Sequence, residues 1–397
     1  MYPISGLQLG ISCAGIKVEG RKDLTLIKVE QGSTMAGVFT QNAFCAAPVH
    51  ICKQHLSEFD NKDDFYLLIN TGNANAGTGQ QGFDDAFQCC QAAADATGLS
   101  RVQVFPYSTG VIGEDLPVAK IVAGIPAALN DLSEDNWANA AQAIMTTDTV
   151  PKGISRQIQL QGRTVTITGI SKGSGMIRPD MATMLAYIAT DAKISDELLA
   201  KLLQNAAEQS FNRISVDGDT STNDSCMLIA TGKSAEIDAL SADEQQQFVT
   251  ALNEVFEQLA KAIVIDGEGA TKLITIQINQ GKGQQECLDV AYTIAHSPLV
   301  KTAFFASDPN WGRILAAVGR SGISDLDLEK IEIFLDDVCI VSQGGKDIHY
   351  REQDGQRIMD QEQITIRIDL ARGNESAQVW TCDFSYDYVK INAEYRT

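Results

Sequence analysis

Lys172-Gly173-Ser174-Gly175-Met176-Ile177-Arg178-Pro179-Asp180-Met181-Ala182-Thr183-Met184-Leu185-Ala186 is the stretch whose reading decides this 397-residue chain. Two glycines and a proline lead into the small pair Ala182-Thr183, a composition that lets the backbone adopt a tight, strained path. Taken alone, a threonine is more often a packing or backbone-bonding residue than a nucleophile. Its hydroxyl also needs a base, and none of the four histidines (His50, His55, His296, His349) is near in sequence. Cleavage of the Ala182–Thr183 bond would supply one. The freed α-amine has a reference pKa of about 7.7–8.0, close to working pH, and sits within reach of its own hydroxyl. Ala182-Thr183 is therefore the candidate cleavage point and Thr183 the candidate nucleophile.

Outward from this stretch the pattern alternates strands and helices. Upstream, 157–160 and 164–168 read as a hairpin turning at Gln161-Gly162, whose second strand runs into the glycine-rich segment. Residues 65–70 read as a buried strand, 84–97 as an Ala-rich helix ending at Gly98, 102–105 as a strand, and Ser133 as the start of a helix over 137–145. Downstream, Ser195 caps a helix carrying Leu198, Leu199, Leu202 and Leu203. Ser241-Ala242-Asp243-Glu244 is a capping box opening a long helix. Residues 271–279, 331–335 and 364–370 alternate as half-buried strands do. With no repeat, low-complexity tract or flexible linker, the expectation is a compact α/β protein.

Bulk composition narrows the function. With 31 basic and 51 acidic residues the net charge is −20, which disfavours nucleic-acid binding. No apolar run reaches about 18 residues, so no membrane span is expected, and the first thirty residues lack the basic-then-apolar pattern of a secretory signal. The nine cysteines are scattered, without C-x-x-C or zinc spacing, which reads as free thiols in a reducing, cytoplasmic setting with no metal.

Several segments together carry a resemblance. They are residues 172–186 with Asp191-Ala192, Gly37-Val38-Phe39-Thr40, Ala46-Ala47-Pro48-Val49, Asn70-Thr71-Gly72-Asn73-Ala74-Asn75-Ala76 and Ser108-Thr109-Gly110-Val111-Ile112-Gly113. Met145-Thr146-Thr147-Asp148-Thr149, Asp266-Gly267-Glu268-Gly269-Ala270-Thr271-Lys272, Ser307-Asp308-Pro309-Asn310-Trp311-Gly312-Arg313 and Asn392-Ala393-Glu394-Tyr395-Arg396-Thr397 complete the set. In this order they resemble the bifunctional glutamate N-acetyltransferase / ornithine acetyltransferase family of arginine biosynthesis over nearly the whole chain. Asp180 is the one departure, standing where asparagine is more usual.

The resemblance implies an α/β (α+β) fold, a layered helix–sheet–sheet–helix sandwich of the self-cleaving ornithine acetyltransferase type. It implies cleavage into residues 1–182, an α fragment with oxyanion hole and substrate contacts, and 183–397, a β fragment starting at the nucleophile, assembled as a heterotetramer of two of each. It implies a ping-pong cycle in which Thr183 takes acetyl from N-acetylornithine and passes it to glutamate. Thr109 and Gly110 would form the oxyanion hole, and Thr146, Lys172, Thr183, Glu268, Asn392 and Thr397 would bind substrate. No cofactor is implied beyond acetyl-CoA as a possible second donor, and no motif decides between a bifunctional enzyme and a monofunctional one restricted to acetylornithine. For most of these residues a bland alternative stands alongside: a turn after the 102–105 strand for Thr109-Gly110, a helix-ending polar cluster for Thr146, a solvated charge for Lys172, a turn for Glu268. Tyr386, Tyr388 and Val389 are candidates to pin the last segment against the fraying usual at termini. An aminopeptidase with a freed amino-terminal Ser or Thr, or a non-catalytic binding relative, are the rival functions.

Overall fold

Phe65, Leu67 and Ile69 face one side of the strand Phe65–Asn73 and Tyr66 and Leu68 the other, and both sides are buried. Such a run belongs to the middle of a sheet covered on both faces. The computed structural model describes residues 1–178 and 184–394 of the chain, and the chain forms two compact units that interleave along the sequence. The first comprises Met1–Gly173, Pro179–Asn212 and Thr220–Ile263; the second comprises Ser174–Arg178, Arg213–Asp219 and Val264–Thr397.

In the first unit a four-stranded sheet has the order Leu7–Ser12, Leu24–Val29, Phe65–Asn73, Val104–Val111. A five-stranded sheet has the order Thr34–Phe39, Ser225–Ala230, Leu185–Thr190, Arg163–Lys172, Lys152–Leu160. Ile27, Phe65, Leu67 and Phe105 of the first meet Ile170, Leu185, Tyr187 and Met227 of the second in one apolar core. On the other face of the four-stranded sheet, Leu24, Leu26, Tyr66 and Leu68 pack under helices Gly79–Thr97 and Val118–Asn130 through Cys89, Cys90, Ala93, Ile121 and Ile125. Helix Asp196–Gln209 covers strands Thr34–Phe39 and Ser225–Ala230. Val255 and Leu259 of helix Ala242–Ile265 press on Gly169 of strand Arg163–Lys172, where a Cβ would lie 3.0 Å from Leu259. The helix–sheet–sheet–helix layering expected from the family is thus present in this unit. Full burial of each large aliphatic side chain in such layers stabilises by about 1.5–3 kcal/mol.

The second unit is built on a seven-stranded sheet whose central strands are Glu332–Leu335, Gln363–Asp369, Leu273–Gly281 and Glu375–Cys382. Ile274, Ile276, Ile278, Ile333, Leu335, Ile364, Ile366 and Ile368 present one face to helices Gln284–Ala295, Pro298–Phe305, Trp311–Gly319 and Glu352–Met359. This is the period-two pattern read in the sequence. Away from that core, the Arg367 guanidinium stacks 3.9 Å from the Phe334 ring centroid.

Most local expectations hold. The hairpin turns at Gln161 (φ 49°) and Gly162 (φ 73°), the left-handed pair that a two-residue turn requires. Gly98 ends its helix in the same region (φ 72°). The Ser195 side chain accepts from the Leu198 N–H, and Ser241 and Glu244 exchange the expected bonds. Two expectations change. The helix expected over 137–145 is Trp137–Ala143, with Asn136 at its N-cap position but no side-chain cap, and Ser133 instead exchanges backbone hydrogen bonds with Leu9. The 102–105 strand is a 3-10 turn, Arg101–Gln103, followed by a strand extending from Val104 to Val111.

Candidate active site

That longer strand changes the setting of Thr109 and Gly110: they lie at its end rather than in a turn after it. Val104–Val111 runs parallel to Phe65–Asn73, with Thr109 opposite Thr71 and Gly110 opposite Gly72, where the register shifts. Gly110 has φ 135°, and a Cβ there would stand 2.3 Å from the Gly72 carbonyl carbon, so only glycine fits. Buried asparagines hold this point. Asn70 Nδ2 donates to the Asn73 carbonyl (2.9 Å), and Ser108 Oγ donates to Asn70 Oδ1 (2.6 Å). Asn223 Nδ2 donates to the carbonyls of Ala74 (2.5 Å) and Ser108 (2.9 Å). These bonds account for Asn70 in the motif, Asn73 Nδ2 donates to the carbonyls of Glu114 (3.2 Å) and Asp115 (3.0 Å), and Asn223 is a contributor the sequence reading missed. Only its placement at the start of a strand could have suggested it.

Lys172 Nζ donates to Thr109 Oγ across 3.1 Å. An ammonium can only donate, so the Thr109 oxygen accepts and its own proton remains to be donated elsewhere. A hydroxyl held in that sense, next to a positive charge and a glycine N–H, suits a developing oxyanion. Lys172 is thus part of this cluster rather than a solvated charge.

Behind it lies Asp148. Its carboxylate accepts from the Thr146 N–H (2.9 Å), the Gly173 N–H (2.8 Å) and Lys152 Nζ (2.6 Å), and the Asp148 and Lys152 side chains are buried. Burial pushes the acid up, but Lys172, Lys152 and the hydrogen bonds outweigh it and hold Asp148 at about 2. Thr146, Lys172 and Thr109 are therefore tied into one network through an acid that sequence reasoning passed over. The folded-state pKa lies below the reference of about 3.9, so its contribution to stability is present above about pH 4 and is lost as pH falls through about 2. Asp148→Asn is expected to cost about 3–5 kcal/mol at neutral pH by stranding the buried Lys152 ammonium. It should also flatten the pH dependence of stability between about pH 4 and 2; urea denaturation across pH checks both.

In the second unit, Glu268 follows helix Ala242–Ile265 in a loop fixed from several sides. The Asp383 carboxylate accepts from the Thr271 N–H (2.8 Å), Thr271 Oγ (2.6 Å) and the Lys272 N–H (2.9 Å). The Glu268 N–H donates to the Ser174 carbonyl (2.8 Å), and Ser174 Oγ donates to the Asp266 carbonyl (2.6 Å). The Glu268 carboxylate is buried against Gly175, where a Cβ would come within 2.4 Å of it. Asn392 Nδ2 donates to Glu268 Oε2 at 2.8 Å, so the structure brings these two expected residues together. The terminal helix, Tyr386–Ala393, is pinned in part as expected: Tyr386, though 84% exposed, meets the Phe305 ring edge-on at 5.3 Å between centroids, whereas Val389 is 67% exposed. Polar contacts hold it: Ser385 Oγ donates to the Gly269 carbonyl (2.6 Å), and Asn392 reaches Glu268. Tyr388 adds a ring stack on Phe384 (4.7 Å between centroids).

Ala182, Thr183 and Thr397 lie outside the described residues, as does Asp180. Asn310 caps helix Trp311–Gly319 by accepting from the Arg313 N–H, so Trp311-Gly312-Arg313 of that family segment open a helix. Among the described residues no His, Cys, Asp and Glu group could hold a metal ion, and no helix is long and apolar enough to cross a membrane.

The ArgJ family model matches residues 8–397. The chain is 58% identical over 399 residues to the arginine biosynthesis bifunctional protein ArgJ of Pseudomonas fluorescens (strain Pf0-1), covering 100% of this chain and 98% of that protein. It is 57% identical over 400 residues to the protein of the same name from Pseudomonas syringae pv. tomato, with the same coverage. The crystal structure of arginine biosynthesis bifunctional protein ArgJ from Bacillus halodurans is 38% identical, with a TM-score of 0.50, and the match covers 53% of this chain and 99% of that one. A family model spanning nearly every residue and relatives of full length at this identity leave one conclusion: the chain belongs to the ArgJ family.

Proposed function

We propose that the chain is a bifunctional acetyltransferase of arginine biosynthesis, moving acetyl from N-acetylornithine to glutamate and also making N-acetylglutamate from acetyl-CoA. The observation that carries it is the Lys172–Thr109–Gly110 arrangement in a chain 58% identical to an arginine biosynthesis bifunctional protein. Cleavage before Thr183 frees its α-amine. The Thr183 hydroxyl then attacks the acetyl carbonyl of N-acetylornithine as that amine takes the proton. The Thr109 O–H and Gly110 N–H stabilise the tetrahedral oxyanion. Collapse breaks the amide C–N bond, the α-ammonium returns the proton to the departing nitrogen, and ornithine leaves an acetyl ester on Thr183. The glutamate amine attacks that ester by the reverse sequence. Thr146 and Lys172 contact the amino-acid substrate, Lys172 at its carboxylate. Glu268, with Asn392 and Thr397, receives the cationic amine of ornithine.

Residues 1–182 and 183–397 stay associated after cleavage and assemble as two of each. Support comes from strand Leu185–Thr190, which begins two residues after Thr183 and pairs antiparallel with Arg163–Lys172 and parallel with Ser225–Ala230. Cut at that point, one sheet draws strands from both fragments. The nine unbridged cysteines support a reducing compartment such as the cytoplasm.

The test is acetyl transfer to glutamate from N-acetylornithine and, separately, from acetyl-CoA. Transfer from both supports the bifunctional reading, and failure with acetyl-CoA alone reduces it to the ornithine cycle. In the same assay Glu268→Gln is expected to raise the KM for N-acetylornithine about 10- to 100-fold with a smaller change in kcat, the mark of lost ground-state binding. An unchanged KM would remove Glu268 from the substrate contacts.

A further inference from the structure

The five residues Ser174–Arg178 end five positions before Thr183, and their backbone is held by a carboxylate that the cycle above does not use. Asp217 Oδ2 accepts from the Met176 N–H at 2.6 Å and Oδ1 from the Ile177 N–H at 2.8 Å. The Ile177 carbonyl accepts from the Val216 N–H (2.8 Å) and from Ser215 Oγ (3.1 Å). Ser215 has one hydroxyl proton, so the 3.0 Å contact with His296 Nε2 is donated by the imidazole. That suits a ring kept neutral: burial, reinforced by Arg178, Lys301 and Arg320, holds His296 at about 4. Ile214 and Ser215 in turn pair with Trp380 and Thr381 of the seven-stranded sheet, so the clamp is mounted on a rigid element.

The clamped segment is not relaxed. Met176 has φ 55° and is exposed, a left-handed conformation that a non-glycine residue keeps only when its surroundings over-determine it. The paired N–H bonds to Asp217 hold the backbone in that geometry. A carboxylate offers two acceptor oxygens to two adjacent N–H groups. An asparagine can offer one, and alanine none.

We infer that Asp217, backed by Ser215 and His296, is a positioning residue for self-cleavage, holding Ser174–Arg178, the segment that leads in sequence to the Ala182–Thr183 bond. This rests on the cleavage reading proposed above. Intramolecular attack depends steeply on geometry, and a misplacement of about 1 Å can cost on the order of 10²-fold. Once the bond is cut the clamp has no further part in that step, so its loss slows maturation.

The test follows processing of the freshly purified full chain by denaturing intact mass over time, with Tm measured on each protein. Asp217→Ala is expected to cleave about 10- to 100-fold more slowly than wild type, with Asp217→Asn between the two. Ile276→Val, at a buried core position of the same unit, serves as the stability control and is expected to cleave at the wild-type rate despite a lower Tm. Asp217→Ala cleaving as fast as wild type, or slowed no more than Ile276→Val at equal Tm loss, overturns the inference while leaving the cleavage reading intact. A wild type that stays whole, or a Thr183→Ala chain that cleaves, overturns the cleavage reading and the inference with it.

Discussion

Thr183→Ala is expected to remain a single chain of 397 residues and to transfer no measurable acetyl group. In the proposed cycle the substitution removes the hydroxyl that attacks the preceding carbonyl in maturation and the acetyl carbonyl in catalysis. It also leaves the α-nitrogen locked in an amide, so nucleophile and base are lost together. Removing the nucleophile from a comparable hydrolase triad costs on the order of 10⁶ in kcat, with a residue of about 10³–10⁴ over water left by binding and the oxyanion hole. Stability should change by no more than about 1 kcal/mol, because no large core side chain is removed. Intact mass, turnover and Tm on one preparation check all three expectations. A cleaved Thr183→Ala protein would place both bond and nucleophile elsewhere.

The second large effect is at the proposed oxyanion pair, Thr109 and Gly110. Thr109→Val keeps the β-branched shape but deletes the hydroxyl that accepts from Lys172 Nζ at 3.1 Å. Loss of one oxyanion donor costs on the order of 10²–10³ in kcat, with KM for N-acetylornithine little changed. Thr109→Ser, which restores the hydroxyl, is expected to recover most of it. Because the cleavage reaction also passes through a tetrahedral oxyanion, Thr109→Val should mature slowly as well. Steady-state kinetics on the matured fraction separate the two. A kcat within a few-fold of wild type would mean that the hydroxyl does not face the reacting carbonyl. Gly110→Ala is a poorer probe, since its Cβ would collide with the Gly72–Asn73 backbone and disturb the strand pair itself.

The layered fold was legible in period-two apolar runs and capped helices because both signals are local. Residues 65–70 read as a buried strand, and Gln161-Gly162 as the turn of a hairpin, from residue types alone. The two interleaved units were not legible. The chain passes between them at Gly173–Ser174, Arg178–Pro179, Asn212–Arg213, Asp219–Thr220 and Ile263–Val264, so the 182/183 boundary read from the motif and the compact units follow different lines. Among site residues, the Lys172–Thr109 contact joins positions 63 apart in sequence and Asn392–Glu268 joins positions 124 apart. Family resemblance named these residues, but no spacing rule could pair them. Asp148, Asp217 and Asn223 escaped notice because an Asx residue accepting or donating backbone hydrogen bonds looks in sequence like any turn residue. Only the path of distant backbone reveals what each one holds.

The most direct test of the acetyl-threonine cycle is a trapping experiment. Matured enzyme is mixed with N-acetylornithine in the absence of glutamate, quenched in acid and weighed under denaturing conditions. The expected result is the fragment of residues 183–397 heavier by one acetyl group, mapped to Thr183 by fragmentation, the label disappearing when glutamate is added before the quench. An unlabelled fragment during active turnover, or an acetyl group carried on residues 1–182, would contradict the cycle.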